Sequence, residues 1–288
     1  MTLAVLYLVA TPIGNLADMV PRALSVLQLA DAIAVEDTRH SGKLLQYFNI
    51  SKPLIPYHDH NETQAAERIL HLLQQGKRVA LISDAGTPAI ADPGYRLVRL
   101  AHQHGVRVES IPGACAAITA LAASGLPSDR FLFAGFLPAK TQARQTAIAR
   151  LANESATLIF YEAPHRLAET IRDLLVGLGG TREVCLAREL SKQFETITLS
   201  TLEALNSAIT EKRVQERGEM VLIVAGNTAA QKADDTDSER ILALLLAELP
   251  LKQAASLAAK ITGSSKRILY QRALAINGDT EKHSIIRE

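Results

Sequence analysis

A chain of 288 residues, 48% of them hydrophobic, has material for roughly two packed domains, and a net charge of +1 excludes a polycation that binds nucleic acid over its whole surface. Any nucleic-acid contact must come from a local basic patch. Two cysteines, Cys115 and Cys185, set no disulfide framework and make no C-x-x-C zinc pair, which fits reduced thiols in a cytosol. Residues 1–6 lack the basic flank of a signal peptide, and no stretch approaches the ~20 apolar residues of a membrane span, so the expectation is a cytoplasmic protein with no membrane partner.

Residues 3–10 are a continuous apolar run stopping at Thr11-Pro12, the pattern of a strand buried on both faces. Residues 21–29 read as a helix with Pro21 in its first turn, 32–35 as a second strand, and 41–48 as a helix capped by Ser41. A weaker strand at 53–57 precedes a helix at 61–75 closed by Gly76. A strand at 79–82, a helix at 95–104 closed by Gly105 and a strand at 106–111 follow. This alternation predicts a parallel sheet covered on both faces.

The turn Gly125-Leu126-Pro127-Ser128 opens a second series. Strands are expected at 131–134, 157–161, 183–188, 195–200 and 220–225, and helices at 141–152, 164–175 and 202–212. The last strand is apolar throughout between Gly218 and Gly226, so it belongs at the centre of its sheet. Residues 227–237 are polar and charged and read as a linker. Residues 238–249 read as an apolar helix, and 250–275 as two helices split at Thr262-Gly263-Ser264. The expected division is 1–124, 125–227 and 228–288.

In open α/β sheets, ligands bind beyond the carboxyl ends of strands. Four loops at such ends are unusual. Thr11-Pro12-Ile13-Gly14-Asn15 is a rigid Pro turn without the G-x-G-x-x-G dinucleotide pattern, and an ordinary βα turn explains it equally well. Ser83-Asp84-Ala85-Gly86-Thr87-Pro88, followed by Asp92-Pro93-Gly94, offers small residues for close approach and a carboxylate for hydroxyl or amine groups; capping is the alternative for Asp84. Pro112-Gly113-Ala114-Cys115-Ala116 opens an Ala-rich helix that either admits a flat ring or packs tightly. Tyr161-Glu162-Ala163-Pro164-His165-Arg166 carries more exposed chemistry than a helix start needs. Two polar clusters join them: Glu36-Asp37-Thr38-Arg39-His40, which a capped helix start explains equally well, and His58-Asp59-His60-Asn61, in which two histidines fall short of a full metal-ligand set. No metal is expected.

The strings Ala10-Thr11-Pro12-Ile13-Gly14-Asn15-Leu16, Arg22-Ala23-Leu24, Glu36-Asp37-Thr38-Arg39, Ser83 to Pro88 with Asp92-Pro93-Gly94, Tyr161-Glu162 with Pro164-His165-Arg166-Leu167, and Gly218-Glu219-Met220-Val221-Leu222 closely resemble the ribosomal RNA small subunit methyltransferase I family, of the tetrapyrrole-methylase-like class. The resemblance runs over roughly residues 3–275 in order and spacing. It implies two αβα lobes, S-adenosylmethionine in the cleft between them, a homodimer, and 2′-O-methylation of a decoding-centre cytidine in 16S ribosomal RNA, within the 30S subunit. The family's cofactor loops map onto Pro12, onto Ser83, Asp84, Ala85 and Gly86, onto Cys115 and Ala116, onto Tyr161 and Glu162, and near Met220. One departure stands at Pro112-Gly113-Ala114, where the family commonly shows Pro-Gly-Pro.

Methyl transfer from a sulfonium needs alignment above all, and a ribose hydroxyl is a weak nucleophile that a general base activates. Glu36, Asp37 or His58 is expected to supply that base, with Arg39 on a neighbouring phosphate. RNA is expected to land on the acid-free stretch 250–275, which carries Lys252, Lys260, Lys266, Arg267 and Arg272 in a helix-turn-helix-like pattern; a helical dimerisation piece is the alternative. Lys140, Arg144 and Arg150 extend the basic track or form a solvated helix face. Two rival readings are a tetrapyrrole methyltransferase of the same class and a non-catalytic RNA-binding module. The absence of G-x-x-x-x-G-K-[ST] excludes a P-loop NTPase.

Overall fold

The computed structural model describes the backbone of residues 4–284 and the side chains of residues 4–227, 238–274 and 276. Residue 3, where the sequence starts its first strand, lies outside them. The chain forms two compact units, Met1–Arg150 with Thr157–Ala225, and Leu151–Ala156 with Gly226–Glu288.

The larger unit holds two five-stranded sheets. The first contains β1 (Val5–Val9), β2 (Ala32–Val35), β3 (Leu54–Pro56), β4 (Arg78–Ile82) and β5 (Arg107–Ile111), all parallel, in the order β3-β2-β4-β1-β5. Alternation divides its strands between two cores. Val5, Tyr7, Val9, Ile33, Val35, Ala80 and Ile82 face one side, where Ala23, Val26 and Leu27 of α1 (Pro21–Leu29) and Leu45 of α2 (Thr38–Tyr47) pack. Leu6, Ala32, Ala34, Val79 and Leu81 face the other, under Ile69 and Leu73 of α3 (Glu62–Gln74) and Leu97 and Ala101 of α4 (Tyr95–Gln103). Burying a side chain such as Leu6 or Ile33 stabilises by about 1.5–3 kcal/mol, which is why these apolar runs end up as inner strands. The expected helix cap moves: α2 starts at Thr38, because the Asp37 side chain accepts from the amides of Arg39 and His40, and Ser41 is buried inside the helix.

The second sheet is mixed. Its order is β6-β7-β10-β8-β9, for β6 (Phe131–Phe136), β7 (Thr157–Glu162), β8 (Glu183–Arg188), β9 (Thr196–Thr201) and β10 (Met220–Val224). β6 and β7 run parallel and every other pair antiparallel. The all-apolar β10 is central and wholly buried, as its composition requires. Although α5 (Ala116–Ala123) follows the first sheet in sequence, its Ala117, Ala120 and Leu121 pack with Ile159, Cys185, Ala187, Val221 and Ile223 of the second. Three further helices belong to this lobe: α6 (Thr141–Leu151), α7 (Leu167–Leu178) and α8 (Leu202–Thr210). On α6, Arg144 is no solvated cation. It is 1% exposed, with Nε 2.6 Å from Asp173 of α7 and a terminal nitrogen 3.2 Å from Glu169. Helix periodicity turned it inward, and the two acids that make this tolerable lie about one helix further along the chain.

The smaller unit contains α9 (Thr228–Glu248), α10 (Leu251–Thr262) and α11 (Lys266–Ser284). The segment expected as a linker is the first half of α9. Its polar sequence has no breaker, and the apolar second half continues its register. Leu242, Ala254, Ala255, Ala258, Leu269 and Ala273 form the core of the three helices. Gly263 closes α10 at φ 73°, a left-handed position suited to glycine. Among the described residues no helix is long and apolar enough to cross a membrane.

Candidate functional site

Because the first sheet is all parallel, every one of its strands delivers its carboxyl end to the same edge, and the following loops meet there. They are stitched in series. Thr11 and Gly86 exchange both backbone hydrogen bonds, at 2.9 and 3.0 Å, and the buried Thr11 hydroxyl donates to the Ser83 carbonyl at 3.1 Å. The Thr87 hydroxyl donates to the Ala114 carbonyl at 2.9 Å. Two glycines allow this closeness. Gly86 sits at φ 82°, and a Cβ on Gly113 would stand 2.7 Å from that of Ala10.

These loops wall a cavity of about 460 Å³ whose other side comes from the second sheet. From the first sheet come Ile13, Glu36, Asp84, Ala85, Gly86, Asp92, Cys115 and Ala116. From the second come Phe136, Tyr161, Glu162, Leu190, Gly218, Glu219, Met220 and Val221. β10 contributes with its amino end, because it runs antiparallel to β7 and places Met220 opposite Glu162.

The cavity is acidic. Burial raises the Glu36 carboxyl, and Asp84 and Asp59 add repulsion. Burial, with Glu36 next, pushes Asp92 up to about 6. On the opposite wall burial pushes Tyr161 up to about 12, and its hydroxyl accepts from the Ala117 amide at 3.3 Å. Glu162 is buried but engaged: it accepts from the Ala163 amide at 2.7 Å and the Thr170 hydroxyl at 2.5 Å, with Arg166 3.4 Å away.

Most of the residues expected to meet a cofactor line this cavity: Asp84, Ala85, Gly86, Cys115, Ala116, Tyr161, Glu162 and Met220. Ser83 lies behind it, its hydroxyl directed at the carbonyls of Ala85 and Gly86. Pro12 lines a neighbouring cavity instead, and its successor Ile13 lines both. Of the expected catalytic residues, Glu36 alone is on the wall. Asp37 is exposed and held low by the amides of Arg39 and His40, which it caps. Its own amide approaches the Asp84 carboxylate at 3.4 Å. Arg39 is exposed on the first turn of α2. The His58 amide donates to Asn61, while its Nδ1 is buried without a hydrogen-bond partner.

Several lining residues were not expected at the site, Asp92, Gly218 and Glu219 among them. Asp92 was visible only as part of a turn, and its Asp-Pro-Gly context conceals that the side chain is half buried. Gly218 and Glu219 precede a strand, a place that a parallel-sheet argument never inspects.

The lining suits an elongated cation with a flat ring. Five acidic residues, Glu36, Asp84, Asp92, Glu162 and Glu219, line the space, Ala85, Gly86 and Ala116 leave room for a planar group, and the volume lies in the range of small-molecule sites. Among the described residues no three His, Cys, Asp or Glu side chains are placed so that they could hold a metal ion.

Residues 5–206 match the family described as Tetrapyrrole (Corrin/Porphyrin) Methylases, and residues 232–277 match the RsmI C-terminal HTH domain. The chain is 54% identical over 273 residues to ribosomal RNA small subunit methyltransferase I of Escherichia coli O157:H7, covering 95% of this chain and 96% of that one. It is 53% identical over 280 residues to the protein of that name from Pseudomonas aeruginosa, covering 96% and 99%. Among solved structures it is similar to the methyltransferase CobJ, with a TM-score of 0.57 at 18% identity over 78% of this chain and 95% of that one. It is also similar to uroporphyrin-III C-methyl transferase from Thermus thermophilus complexed with S-adenyl homocysteine, with a TM-score of 0.51 at 19% identity over 76% and 96%.

Proposed function

This chain belongs to the tetrapyrrole (corrin/porphyrin) methylase family and, within it, to the ribosomal RNA small subunit methyltransferases I, and we propose that it moves a methyl group from S-adenosylmethionine to the ribose 2′-hydroxyl of a decoding-centre cytidine in 16S ribosomal RNA. The carrying observation is the acidic cavity at the edge of both sheets, with Glu36 on its wall. When bound, S-adenosylmethionine supplies an activated methyl on a positively charged sulfur. Asp84, Asp92 and Glu36 complement that charge, and Ala85, Gly86 and Ala116 accommodate the adenine.

A general base is worth roughly 10²–10⁴-fold to a weak nucleophile when its pKa lies near the working pH. Glu36 fits best, since burial makes it a better proton acceptor than an exposed carboxylate. Asp37 holds α2 in place by capping it, and Arg39 on the same turn takes a phosphate. His58, away from the wall, is the second candidate.

RNA lands on α10 and α11, whose Lys252, Lys260, Lys266 and Arg267 are exposed. Arg272 is half buried and lies 3.5 Å from Glu239, so it contributes less. A small tetrapyrrole needs no such surface. The substrate is the RNA within the 30S subunit, in the cytoplasm.

The enzyme acts as a homodimer. The second sheet supports this: beside α5, with its exposed Ile118, Phe131 of β6 and Ile197 and Leu199 of β9 are left exposed.

Mass mapping of 30S RNA treated with the protein and S-adenosylmethionine tests the reading. A single ribose-methylated cytidine is expected, and its loss of yield on charge reversal at Lys266 and Arg267. Methyl on a base, or transfer to a precorrin in preference to RNA, overturns it.

A further inference from the structure

A second cavity, of about 410 Å³, adjoins the first, and Ile13, Asp84, Ala85 and Glu219 line both. Away from that common wall its character changes. His40, Lys43, Leu44 and Tyr47 come from one face of α2, at the three- and four-residue spacing that stacks side chains along a helix. Tyr47 is 63% exposed, so its ring has a free face, and its edge is held against Phe48 at a centroid distance of 4.9 Å. Lys43 is exposed and makes no ion pair among the described residues.

The second lysine of this cavity behaves differently. Lys192 lies 2.9 Å from Glu189 and 3.0 Å from Glu219, which satisfy its charge. Its stem crosses Gly14 so closely that a Cβ there would stand 2.5 Å from Lys192 Cγ. Lys192 is therefore part of the wall, and the available positive charge sits on α2.

An exposed aromatic ring beside basic and hydrogen-bonding side chains on one face is how proteins hold single-stranded nucleic acid: the ring stacks on a base and those side chains take the backbone. We propose that this second cavity receives the acceptor nucleotide, with Tyr47 stacked on its unpaired base and Lys43 and His40 on the adjoining phosphate. The sugar is then directed to the wall shared with the first cavity. This rests on the reading above for the identity of the RNA, and it adds a specificity site distinct from α10 and α11. A base still paired in a duplex has no free face for Tyr47, so the enzyme selects an unstacked nucleotide.

The test compares wild type, Tyr47→Ala, Tyr47→Phe and Lys43→Glu in methyl transfer to 30S particles and in fluorescence anisotropy with a short single-stranded RNA in the presence of S-adenosylhomocysteine. Tyr47→Ala is expected to lower kcat/KM and RNA affinity by about 10- to 100-fold, while Tyr47→Phe, which keeps the ring, stays within about 3-fold of wild type. Lys43→Glu should weaken RNA binding and reduce its salt slope by about 1. Calorimetric affinity for S-adenosylhomocysteine should be unchanged throughout. Wild-type RNA affinity in Tyr47→Ala, or equal damage from Tyr47→Phe, overturns the proposal. A wild type that transfers no methyl to 30S, yet loses RNA affinity in Tyr47→Ala, overturns the proposed reaction and leaves this site standing.

Discussion

The two sheets of the larger unit meet at one cavity but equip it differently. The first is wholly parallel, so its loops converge and bring Glu36, Asp84 and Asp92 into one space. The second is largely antiparallel, and its strands reach the cavity from either end: β7 with Tyr161 and Glu162, β10 with Gly218 to Met220. Its acids are spent on structure. Glu162 is hydrogen-bonded to Thr170 and Ala163, and Glu189 and Glu219 hold Lys192. A parallel sheet concentrates reactive groups, and a mixed sheet supplies a fitted wall.

The sharpest way to break this contrast is Glu36→Gln. Single-turnover methyl transfer should fall by about 10²–10⁴-fold, with S-adenosylhomocysteine affinity retained. A wild-type rate would move the base elsewhere, with His58 next in line.

The wall-building role of the second lobe is probed by Arg144→Met. It strands the Asp173 carboxylate, which is 7% exposed, and should cost about 3–5 kcal/mol in urea unfolding. Adding Asp173→Leu should recover most of that loss. No recovery would mean that the pair is not the source of the cost.

The smallest effect is a pH dependence in the first lobe. Asp92 titrates at about 6 in the folded protein, above its ordinary value, so folding favours the protonated form. That contribution is complete below the unfolded carboxylate range and is lost as pH rises through about 6. Asp92→Asn should therefore melt above wild type at about pH 8, and the gap should close toward about pH 4. A gap independent of pH would remove Asp92 from the buried acid group.

Much of the architecture was legible in the order of residues. All ten strands form within a few residues of their expected positions, and α1 and β8 fall on the expected bounds. The strand-end rule then found Asp84 and Tyr161. It failed at Gly218 and Glu219, because strand direction within a sheet is a pairing property that no single segment encodes. It was equally silent on Tyr47, which looks like any residue on an amphipathic helix until its neighbours are known.

Local chemistry decided more than propensity did at α2. Asp37 reads as a candidate base and Ser41 as a cap, yet the carboxylate wins the cap because two free amides lie within its reach. Arg144 shows the converse, a charge that the sequence displays and the fold conceals.

By itself, the sequence determined the strands, most helices, the strand-end loops and the family, because these follow from short-range pattern and motif spacing. Only the tertiary structure decided which acids share one buried space, which cations are already paired and which ring is left uncovered. Burial and pairing arise between residues far apart in the chain, and they set the energy of every charge at this site.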